Sequence, residues 1–221
     1  LHCGVVEVFV GDSAKCQYST VQNWYKNVYN LTTKRSLVKE NGTMVWVDGN
    51  IGSAVTMKYP CCVLAEKGAT GQLLSLSVAD SNQTQDTGGK MIHRASDTSS
   101  SILSRSIAKN GGTTSFRGLT VIDKKAKNCR SKVVCNNLLL DDKSKTLTYP
   151  ASTISNHDVV FEHEATVSKL SAQQLFYLQS RGLTEAQASN MLISGFAEPI
   201  IREFPIEYAV ELSRLLEMND G

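Results

Sequence analysis

The chain lacks most of the sequence signatures that assign a protein to a common biochemical class. Among 221 residues, 23 Lys and Arg stand against 21 Asp and Glu. The net charge of +2 therefore gives no field that would favour nucleic acid or an anionic membrane. No phosphate-binding glycine loop of the GxxxxGK[ST] or GxGxxG type occurs, and no Gly-x-Ser-x-Gly nucleophile motif occurs. We expect neither ATP binding nor serine-hydrolase chemistry within this chain.

Long apolar runs and targeting signals are also missing. No apolar stretch approaches the roughly 20 residues that a membrane-spanning helix needs. Residues 1–10 lack the basic start and small-residue cleavage site of a signal peptide. We therefore expect a soluble, non-secreted protein. Because the chain starts with Leu1 and is already strand-like at Val5, we also expect it to be part of a longer protein.

The cysteines do not form a recognisable disulfide or zinc framework. There are six of them: Cys3, Cys16, Cys61, Cys62, Cys129 and Cys135. No CxxC pair is present, so a structural zinc knuckle is not expected. The chain is long and the spacing differs from that of small secreted domains, which favours reduced thiols.

Most of the chain has the pattern of short strands separated by turns. The candidate strands are 5–10, 14–24, 44–47, 54–64, 72–79, 100–107, 113–122, 131–140, 146–149 and 158–169. The candidate turns are Gly11-Asp12, Asn41-Gly42, Asp48-Gly49-Asn50, Lys67-Gly68, Gly88-Gly89, Asn110-Gly111-Gly112 and Asp141-Asp142. This pattern predicts an all-β body over residues 1–169. It suits a sandwich, a barrel or a solenoid equally well.

Residues 170–221 change to the period of helices and form a predicted helical domain. Ser171 and Thr184 are each followed three residues later by Gln, which is the capping-box pattern at a helix start. The first helix should end at Gly182 and the second near Gly195. Pro205 suits the first turn of a third helix. The apolar side of that helix should carry Ile206, Ala209, Val210 and Leu216, widened by Leu212 and Leu215.

Two features carry candidate metal chemistry. In an extended segment, Glu162 and Glu164 lie on one face and His163 on the other. Alone, these residues would suit a solvated strand edge, and position 167 is Val, which excludes a zincin motif. Cys135 alone would suit a small buried apolar residue. Together, however, thiolate, imidazole and carboxylate are iron ligands, and such a mixed set holds iron less tightly than four thiolates.

Segments spread over almost the whole chain carry a family resemblance. They are Val21-Gln22-Asn23-Trp24, Val28-Tyr29-Asn30-Leu31-Thr32-Thr33-Lys34-Arg35, Lys58-Tyr59-Pro60, Asp86-Thr87-Gly88-Gly89-Lys90-Met91-Ile92-His93, Phe116-Arg117-Gly118-Leu119, Glu162-His163-Glu164-Ala165-Thr166-Val167-Ser168-Lys169, Gln174-Leu175-Phe176-Tyr177 and Ser180-Arg181-Gly182. In this order they resemble the C-terminal half to two-thirds of the SufB family, the scaffold of the SUF iron–sulfur cluster assembly system. The resemblance implies a mainly β fold, with a right-handed parallel β-helix followed by a small α-helical domain.

The resemblance also implies roles for particular residues. Cys135 matches the family's interface cysteine, and Glu162, His163 and Glu164 match its candidate iron ligands, among which Glu164 is the strongest. Other positions match polar residues that line a sulfur path inside the β-helix: Gln22, Trp24 and Lys34. The implied cofactor is a transient iron–sulfur cluster, generally of the [4Fe-4S] type. We expect Cys135 and Glu164 to face one cavity, and the family's sulfur-accepting cysteine to precede Leu1.

The implied partners are those of the SUF system. A SufC-like ATPase should bind the C-terminal helices, and a SufD-like paralogue should pair with the β-helix. Sulfur should come from the SufS desulfurase through SufE or SufU, and apo iron–sulfur proteins should receive the cluster. We expect a scaffold rather than an enzyme, in the bacterial cytoplasm or a plastid-type organelle, with no nucleic-acid or membrane partner.

Two other functions are compatible with this β body. One is a SufD-like subunit that binds the ATPase without carrying the cluster, and an iron-binding assay would separate it from a SufB-like scaffold. The other is a carbohydrate-acting β-helix enzyme. That enzyme would need clustered Asp residues or an Arg base, and we find no such group in the sequence.

Overall fold

The computed structural model describes residues 1–218, and their side chains as far as residue 216. The strands are β1 (His2–Val10), β2 (Lys15–Trp24), β3 (Tyr29–Val38), β4 (Thr43–Gly52), β5 (Val55–Lys58), β6 (Cys61–Leu64), β7 (Thr70–Ala79), β8 (Thr84–His93), β9 (Ser99–Ala108), β10 (Thr113–Ile122), β11 (Cys129–Leu139), β12 (Lys145–Ile154) and β13 (Val159–Lys169). The helices are α1 (Ala172–Ser180), α2 (Glu185–Ile201) and α3 (Ile206–Met218).

The strands form two parallel sheets that the chain visits alternately. Sheet A has the order β1-β3-β5-β8-β10-β12, with β6 continuing β5 between β3 and β8. Sheet B has the order β2-β4-β7-β9-β11-β13. The result is a β-helix of about six turns, followed by three helices. This confirms the mainly β solenoid that the family resemblance implies and decides between the three architectures left open by the strand pattern.

Left-handed backbone conformations recur at the corners of the coil. Asn41, Asn82, Asn110 and Asn128 all have φ between 51° and 59°, which asparagine tolerates better than most residues. At one corner Gly68 has φ +71°, and a Cβ there would lie 2.1 Å from Asn41 Oδ1. The corners of successive turns therefore stack too closely for a side chain at this position.

Two predicted turns are wrong, because both segments lie inside strands. Asp48-Gly49-Asn50 belongs to β4, and Gly88-Gly89 belongs to β8. The glycines are there for packing: a Cβ on Gly88 would lie 1.9 Å from the carbonyl oxygen of Arg117, and one on Gly89 would lie 2.3 Å from Leu73. Strands β3 and β8 are absent from the sequence prediction, and strand 54–64 is divided at Tyr59 and Pro60.

The helices cover the outer face of sheet B. Apolar residues of β4, β7, β9 and β11 pack there against α2 and α3 in one cluster. Its members include Val47, Leu76, Ile107, Leu138, Ile193, Ile200, Phe204 and Leu212. As a result β4 is buried on both faces. Among the described residues, no helix is long and apolar enough to cross a membrane.

The helix boundaries agree with the sequence only in part. Thr184 forms the predicted capping box with Gln187, and Gly182 follows α1 with φ +94°. The predicted end of the second helix is wrong, since α2 continues through Gly195 to Ile201. Burial of Ala197 and Ile200 against sheet B outweighs the roughly 1 kcal/mol that a helical glycine costs.

The third helix begins as predicted and buries most of its predicted apolar side, with Ala209, Leu212, Leu215 and Leu216 packed in the cluster on sheet B. It starts at Ile206, directly after Pro205. Ile206 and Val210 are 75% and 63% exposed, whereas Leu212 and Leu216 are buried. The strand body ends at Lys169 and α1 starts at Ala172, and the division into two domains stays a prediction. Residues 219–221 of the predicted helical domain lie outside the described residues.

Candidate functional site

The interior of the β-helix has two polar rows that run from turn to turn across sheet B. The strand register aligns inward-facing residues of neighbouring strands. The first row consists of Thr20, Asp48, Ser75, Ser104 and Cys135. The second row consists of Gln22, Asn50, Ser77, Ser106 and Asn137. A continuous line of polar side chains therefore leads from the first turns of the coil to Cys135.

The next inward row is almost entirely apolar. It consists of Tyr18, Trp46, Leu73, Ile102, Val133 and His163. Five of its neighbours in the main interior cluster, namely Val38, Met44, Leu64, Met91 and Phe116, are also buried. One half of the interior is thus a packed hydrophobic core, and the polar rows occupy the other half.

Cys135 is fully buried, at 0% exposure, on the last strand but one of sheet B. The amide of Asn137 donates a hydrogen bond to its sulfur at 3.6 Å. Asn137 is itself held by Ser106, which donates to Oδ1 at 2.6 Å, and by the carbonyl of Thr166 at 3.1 Å. Burial raises the pKa of the Cys135 thiol, while Asn137 and Thr148 act in the opposite direction. The thiol is therefore positioned by Asn137, and its burial favours the protonated form.

The Glu-His-Glu segment lies on β13, the edge strand of sheet B. His163 is aligned with Val133 on the inward face and lines a cavity of about 220 Å³ with Phe161, Thr120 and Ser152. Glu162 is aligned with Lys132 on the outer face and forms an ion pair with it at 3.1 Å. The carboxylates and the imidazole thus lie on opposite faces of the strand.

Cys135 and Glu164 do not face one cavity within this chain. The register aligns Cys135 with Ala165 and Glu164 with Val134. Adjacent residues of a strand point to opposite faces, so the thiol points inward and the Glu164 carboxylate outward. The expected convergence of these two side chains is therefore wrong for the single chain. The residue that shares the inward face with Cys135 is His163.

The three residues matched to a sulfur path lie together at the other end of the polar rows. Gln22 Oε1 accepts a hydrogen bond from Asn30 at 2.8 Å. Trp24 is 39% exposed, and its ring lies 4.6 Å from that of His2. Lys34 is 2% exposed and points into the interior. The structure therefore brings Gln22, Trp24 and Lys34 to the inner side of the first turns.

Lys34 belongs to a buried charge cluster that sequence reasoning missed. Its ammonium donates to Asp48 Oδ1 at 2.5 Å and to Thr20 Oγ1 at 2.9 Å. Lys58 reaches the same carboxylate oxygen at 3.3 Å. Burial lowers the pKa of Lys58 to about 8, with Asp48 opposing and Lys34 reinforcing this effect. Burial raises the pKa of Asp48, but the two ammonium groups outweigh it and the net shift is downward.

The cluster was missed because Asp48 was assigned to a turn. The signal that would have found it is phase: Met44, Trp46, Asp48 and Asn50 lie two residues apart and so share one face of a strand. Lys58 continues the phase of Thr56 in the same way. Strand alternation with polar inward residues is harder to recognise than alternation with apolar ones.

Several buried polar atoms on β4, after β4 and on β8 have no hydrogen-bond partner among the described residues. They are Asp48 Oδ2, Asn50 Oδ1, Asn50 Nδ2, Ser53 Oγ and Gln85 Oε1. In contrast, the polar side chains beside Cys135 are bonded to one another, as Ser106, Thr114, Asn137 and Thr146 show. Within residues 1–218, no group of three or more His, Cys, Asp and Glu is placed to hold a metal ion.

The fold and the site together define a parallel β-helix protein whose polar interior ends at a buried thiol. The family described as "SUF system FeS cluster assembly, SufBD core domain" matches residues 1–196. The chain belongs to the SufBD family.

Individual relatives carry the same family name. An "Iron-sulfur cluster assembly SufBD family protein" of Staphylococcus epidermidis is 52% identical over 219 residues, covering 99% of this chain and 47% of the relative. Relatives of the same description from Staphylococcus haemolyticus and Staphylococcus aureus show the same identity and coverage. The chain therefore spans about half the length of the curated relatives it matches.

Proposed function

We propose that this chain is the cluster-building, SufB-like member of the family and acts as a scaffold rather than an enzyme. In this proposal it receives sulfur and iron, holds a nascent cluster and hands it to apo-proteins. The observation that supports it best is the placement of Cys135. Its thiol lies at the end of the polar rows, and His163 stands on the same inward face of the neighbouring edge strand.

The proposed iron site uses Cys135 as thiolate ligand and, as nitrogen ligand, His163, the candidate ligand on the same inward face of the neighbouring strand. Binding of iron would favour the thiolate, because metal ligation lowers a thiol's pKa. Glu162 and Glu164 remain candidate oxygen ligands on the same strand. Because they point outward in the single chain, they join this site only if the assembled complex changes the course of edge strand β13. The cluster itself, a transient [4Fe-4S] species in this proposal, is cargo and not a resident cofactor.

The proposed partners fit two surfaces of the fold. Strands β12 and β13 are the last strands of sheets A and B and present unpaired edges, which proteins normally cover or pair. A SufD-like paralogue would pair there. A SufC-like ATPase would bind the helices, whose exposed residues include Phe176 and Tyr177. Sulfur would arrive from SufS with SufE or SufU and pass Gln22, Trp24 and Lys34, in a bacterial cytoplasm or plastid-type organelle.

Anaerobic reconstitution of the full-length protein in its complex tests the iron site. Loss of an outer-shell partner of a metal ligand commonly costs roughly 10–100-fold in affinity or activity, so Cys135→Ala should lower bound iron and labile sulfide at least as much. Cys129→Ala is the matched control, since Cys129 is equally buried but lies among Thr98 and Ala95. Normal cluster yield in Cys135→Ala would remove the proposal.

Two further variants rank the other ligands. If the single-chain geometry persists in the complex, His163→Ala lowers cluster yield more than Glu164→Ala. The reverse order would show that β13 changes its course on assembly.

The alternative is a SufD-like subunit that binds the ATPase without carrying the cluster. The opposite orientation of Cys135 and Glu164 favours it, because it separates two expected ligands. Under this alternative, iron binding by the reconstituted complex is unaffected by Cys135→Ala.

A further inference from the structure

The two sheets differ in what packs on their outer faces. The strand residues that pack against α2 and α3 all belong to sheet B. The outer face of sheet A also carries large apolar residues, but they are exposed: Val5, Phe9, Tyr29, Met57, Leu147 and Tyr149. An extended exposed apolar surface commonly marks a site of interaction. The outer face of sheet A is therefore a candidate docking surface.

The outer face of sheet A has the area of a specific protein interface. Its strands occupy six neighbouring positions and have nine or ten residues each, apart from the divided strand β5 and β6. At about 4.8 Å between strands and about 3.3 Å per residue, the face measures roughly 800 Å². A standard protein interface uses about 800 Å² on each partner. Tyr, Phe, Met and Arg, which this face carries, are also the residues enriched in interfaces.

A group of cations lies near the centre of this face. The register aligns Glu7, Arg35, Cys61 and Lys90 in one row, and Arg94 follows β8 directly. Burial raises the pKa of the Cys61 thiol, and the three cations act in the opposite direction, which places them near its sulfur. All three are exposed. Among the described residues, none of them forms an ion pair.

An apolar groove of about 220 Å³ lies beside these cations. The register aligns the side chains of its apolar lining in one row across four strands: Phe9, Leu37, Val63 and Ile92. Arg35 and Arg94 line the same groove. The groove therefore suits an apolar side chain whose neighbours carry negative charge.

The charge of this face argues against a second copy of the chain as its occupant. Two copies that pack the same face together around a two-fold axis bring the centre of the face against itself. Arg35, Lys90 and Arg94 would then meet the same three cations, and like charges in an interface are strongly unfavourable. Asp86 cannot compensate them, because Arg117 already binds both of its carboxylate oxygens at 3.0 Å. The complementary partner is an acidic one.

The outer face of sheet B shows which kind of element packs on this scaffold. There, α2 and α3 place apolar side chains against parallel strands of the same coil. We propose that the outer face of sheet A binds an acidic amphipathic helix of another protein. One large apolar side chain of that helix occupies the groove, and its carboxylates pair with Arg35 and Arg94. The proposal does not depend on the scaffold function, because Cys135 has no part in it.

Two synthetic helical peptides serve as probes for the full-length protein. Both carry the same stripe of Leu and Phe, which Glu flanks in one peptide and Lys in the other. Fluorescence anisotropy at low salt measures their affinities. The Glu peptide should bind at least about tenfold more tightly than the Lys peptide, because only its charges complement the cations. Equal affinities, or no binding of the Glu peptide, would overturn the proposal.

Charge reversal locates the binding on this face. Arg35→Glu should weaken the Glu peptide about tenfold or more and strengthen the Lys peptide, and Arg94→Glu should do the same. Phe9→Ser should weaken both peptides, since it removes part of the groove. The matched control is Arg130→Glu, at an exposed position on the outer face of sheet B, which should change neither affinity. Equal effects of Arg35→Glu and Arg130→Glu would mean attraction to the net charge alone and would overturn the site.

Two further measurements test the other occupants of the face. Sedimentation velocity should give the same mass for the wild type, Arg35→Glu and Phe9→Ser. Flotation with vesicles of equal parts phosphatidylglycerol and phosphatidylcholine should leave all three unbound. Self-association that these two substitutions abolish would assign the face to a second copy. Vesicle binding that Arg35→Glu abolishes would assign it to a membrane surface, and either result would overturn the helix proposal.

Discussion

The two ends of the polar rows differ in how well their polar groups are satisfied. At the end that contains Asp48, formal charges are buried, and several amide, hydroxyl and carboxylate atoms lack partners within the part of the chain that the structure describes. Around Cys135, the side chains of Ser106, Thr114 and Asn137 form a connected hydrogen-bond network. A satisfied network holds a group in place, whereas a buried polar group without a partner costs free energy of folding. The first end is therefore the one with buried charges and unpaired polar atoms, and the second end is the one that positions a thiol.

Removal of the Asp48 carboxylate should produce the largest decrease in the free energy of unfolding. Asp48→Ala leaves two ammonium groups facing each other in the interior, and breaking a buried ion pair in this way costs about 3–5 kcal/mol. Urea unfolding of the folded chain measures it. The control is Asp142→Ala, whose carboxylate is 86% exposed in its ion pair with Lys169 and should matter by about 0.5 kcal/mol or less. If both substitutions lower the free energy of unfolding equally, the buried ion pairs of Asp48 with Lys34 and Lys58 do not stabilise the fold as described.

As the pH falls, the fold should lose stability first through the buried His93, and only at lower pH through protonation of Asp48. Burial lowers the pKa of His93 from 6.5 to about 4, and its ring bonds Thr98 at 2.8 Å and Ser100 at 2.9 Å. Between these two pKa values the histidine is protonated in the unfolded chain and neutral in the folded chain. The free energy of unfolding therefore falls as the pH drops from about 6.5 to about 4. The expected loss is roughly 3 kcal/mol.

The pH dependence of urea unfolding checks this prediction. His93→Gln should flatten the slope between about pH 4 and pH 6.5, while His157→Gln, at an exposed position, should leave it unchanged. The pKa of Asp48 is lowered, so its contribution is present above its unfolded value and is lost only at lower pH. If the free energy of unfolding of His93→Gln still falls between about pH 6.5 and pH 4, a group other than His93 causes the acid sensitivity.

A single hydroxyl at the thiol end should have the smallest effect. Ser106→Ala removes the donor to Asn137 Oδ1 and should destabilise the fold by about 1–3 kcal/mol, because it leaves a buried acceptor unpaired. Ser101→Ala, on the outer face of the same strand, should change stability by about 0.5 kcal/mol or less. If Ser106→Ala leaves the free energy of unfolding unchanged, the hydrogen bond from Ser106 to Asn137 contributes less than its 2.6 Å distance indicates.

The sequence predicted some strands with their observed bounds and missed others entirely. Strand 113–122 was predicted with its observed bounds, and its inward face carries Phe116 and Ile122. Strand β3 was missed because its inward residues are Asn30, Thr32 and Lys34, which do not produce hydrophobic alternation. At β3, the polar inward residues that contribute Lys34 to the interior thus also conceal the strand from sequence analysis.

The candidate site residues were named from the sequence and remain a prediction, whereas their relative geometry required the structure. The alternation of β13 correctly separates His163 from its two glutamates. The pairing of Cys135 with Ala165 depends on register, which is set by corner lengths and packing of the whole coil. Without that register, sequence reasoning had no means to decide which of His163 and Glu164 accompanies the thiol.

The stacked turns of the coil also fix the distance between the two ends of the polar rows. Three strand spacings separate β4 from β11, which is about 14 Å along the coil axis at about 4.8 Å for each step. Because every turn supplies one residue to each row, deleting a whole turn would bring the two ends one step closer and keep both rows in phase. The distance between the lysines and the thiol can therefore change only in steps of one strand spacing, and the number of turns between them determines it.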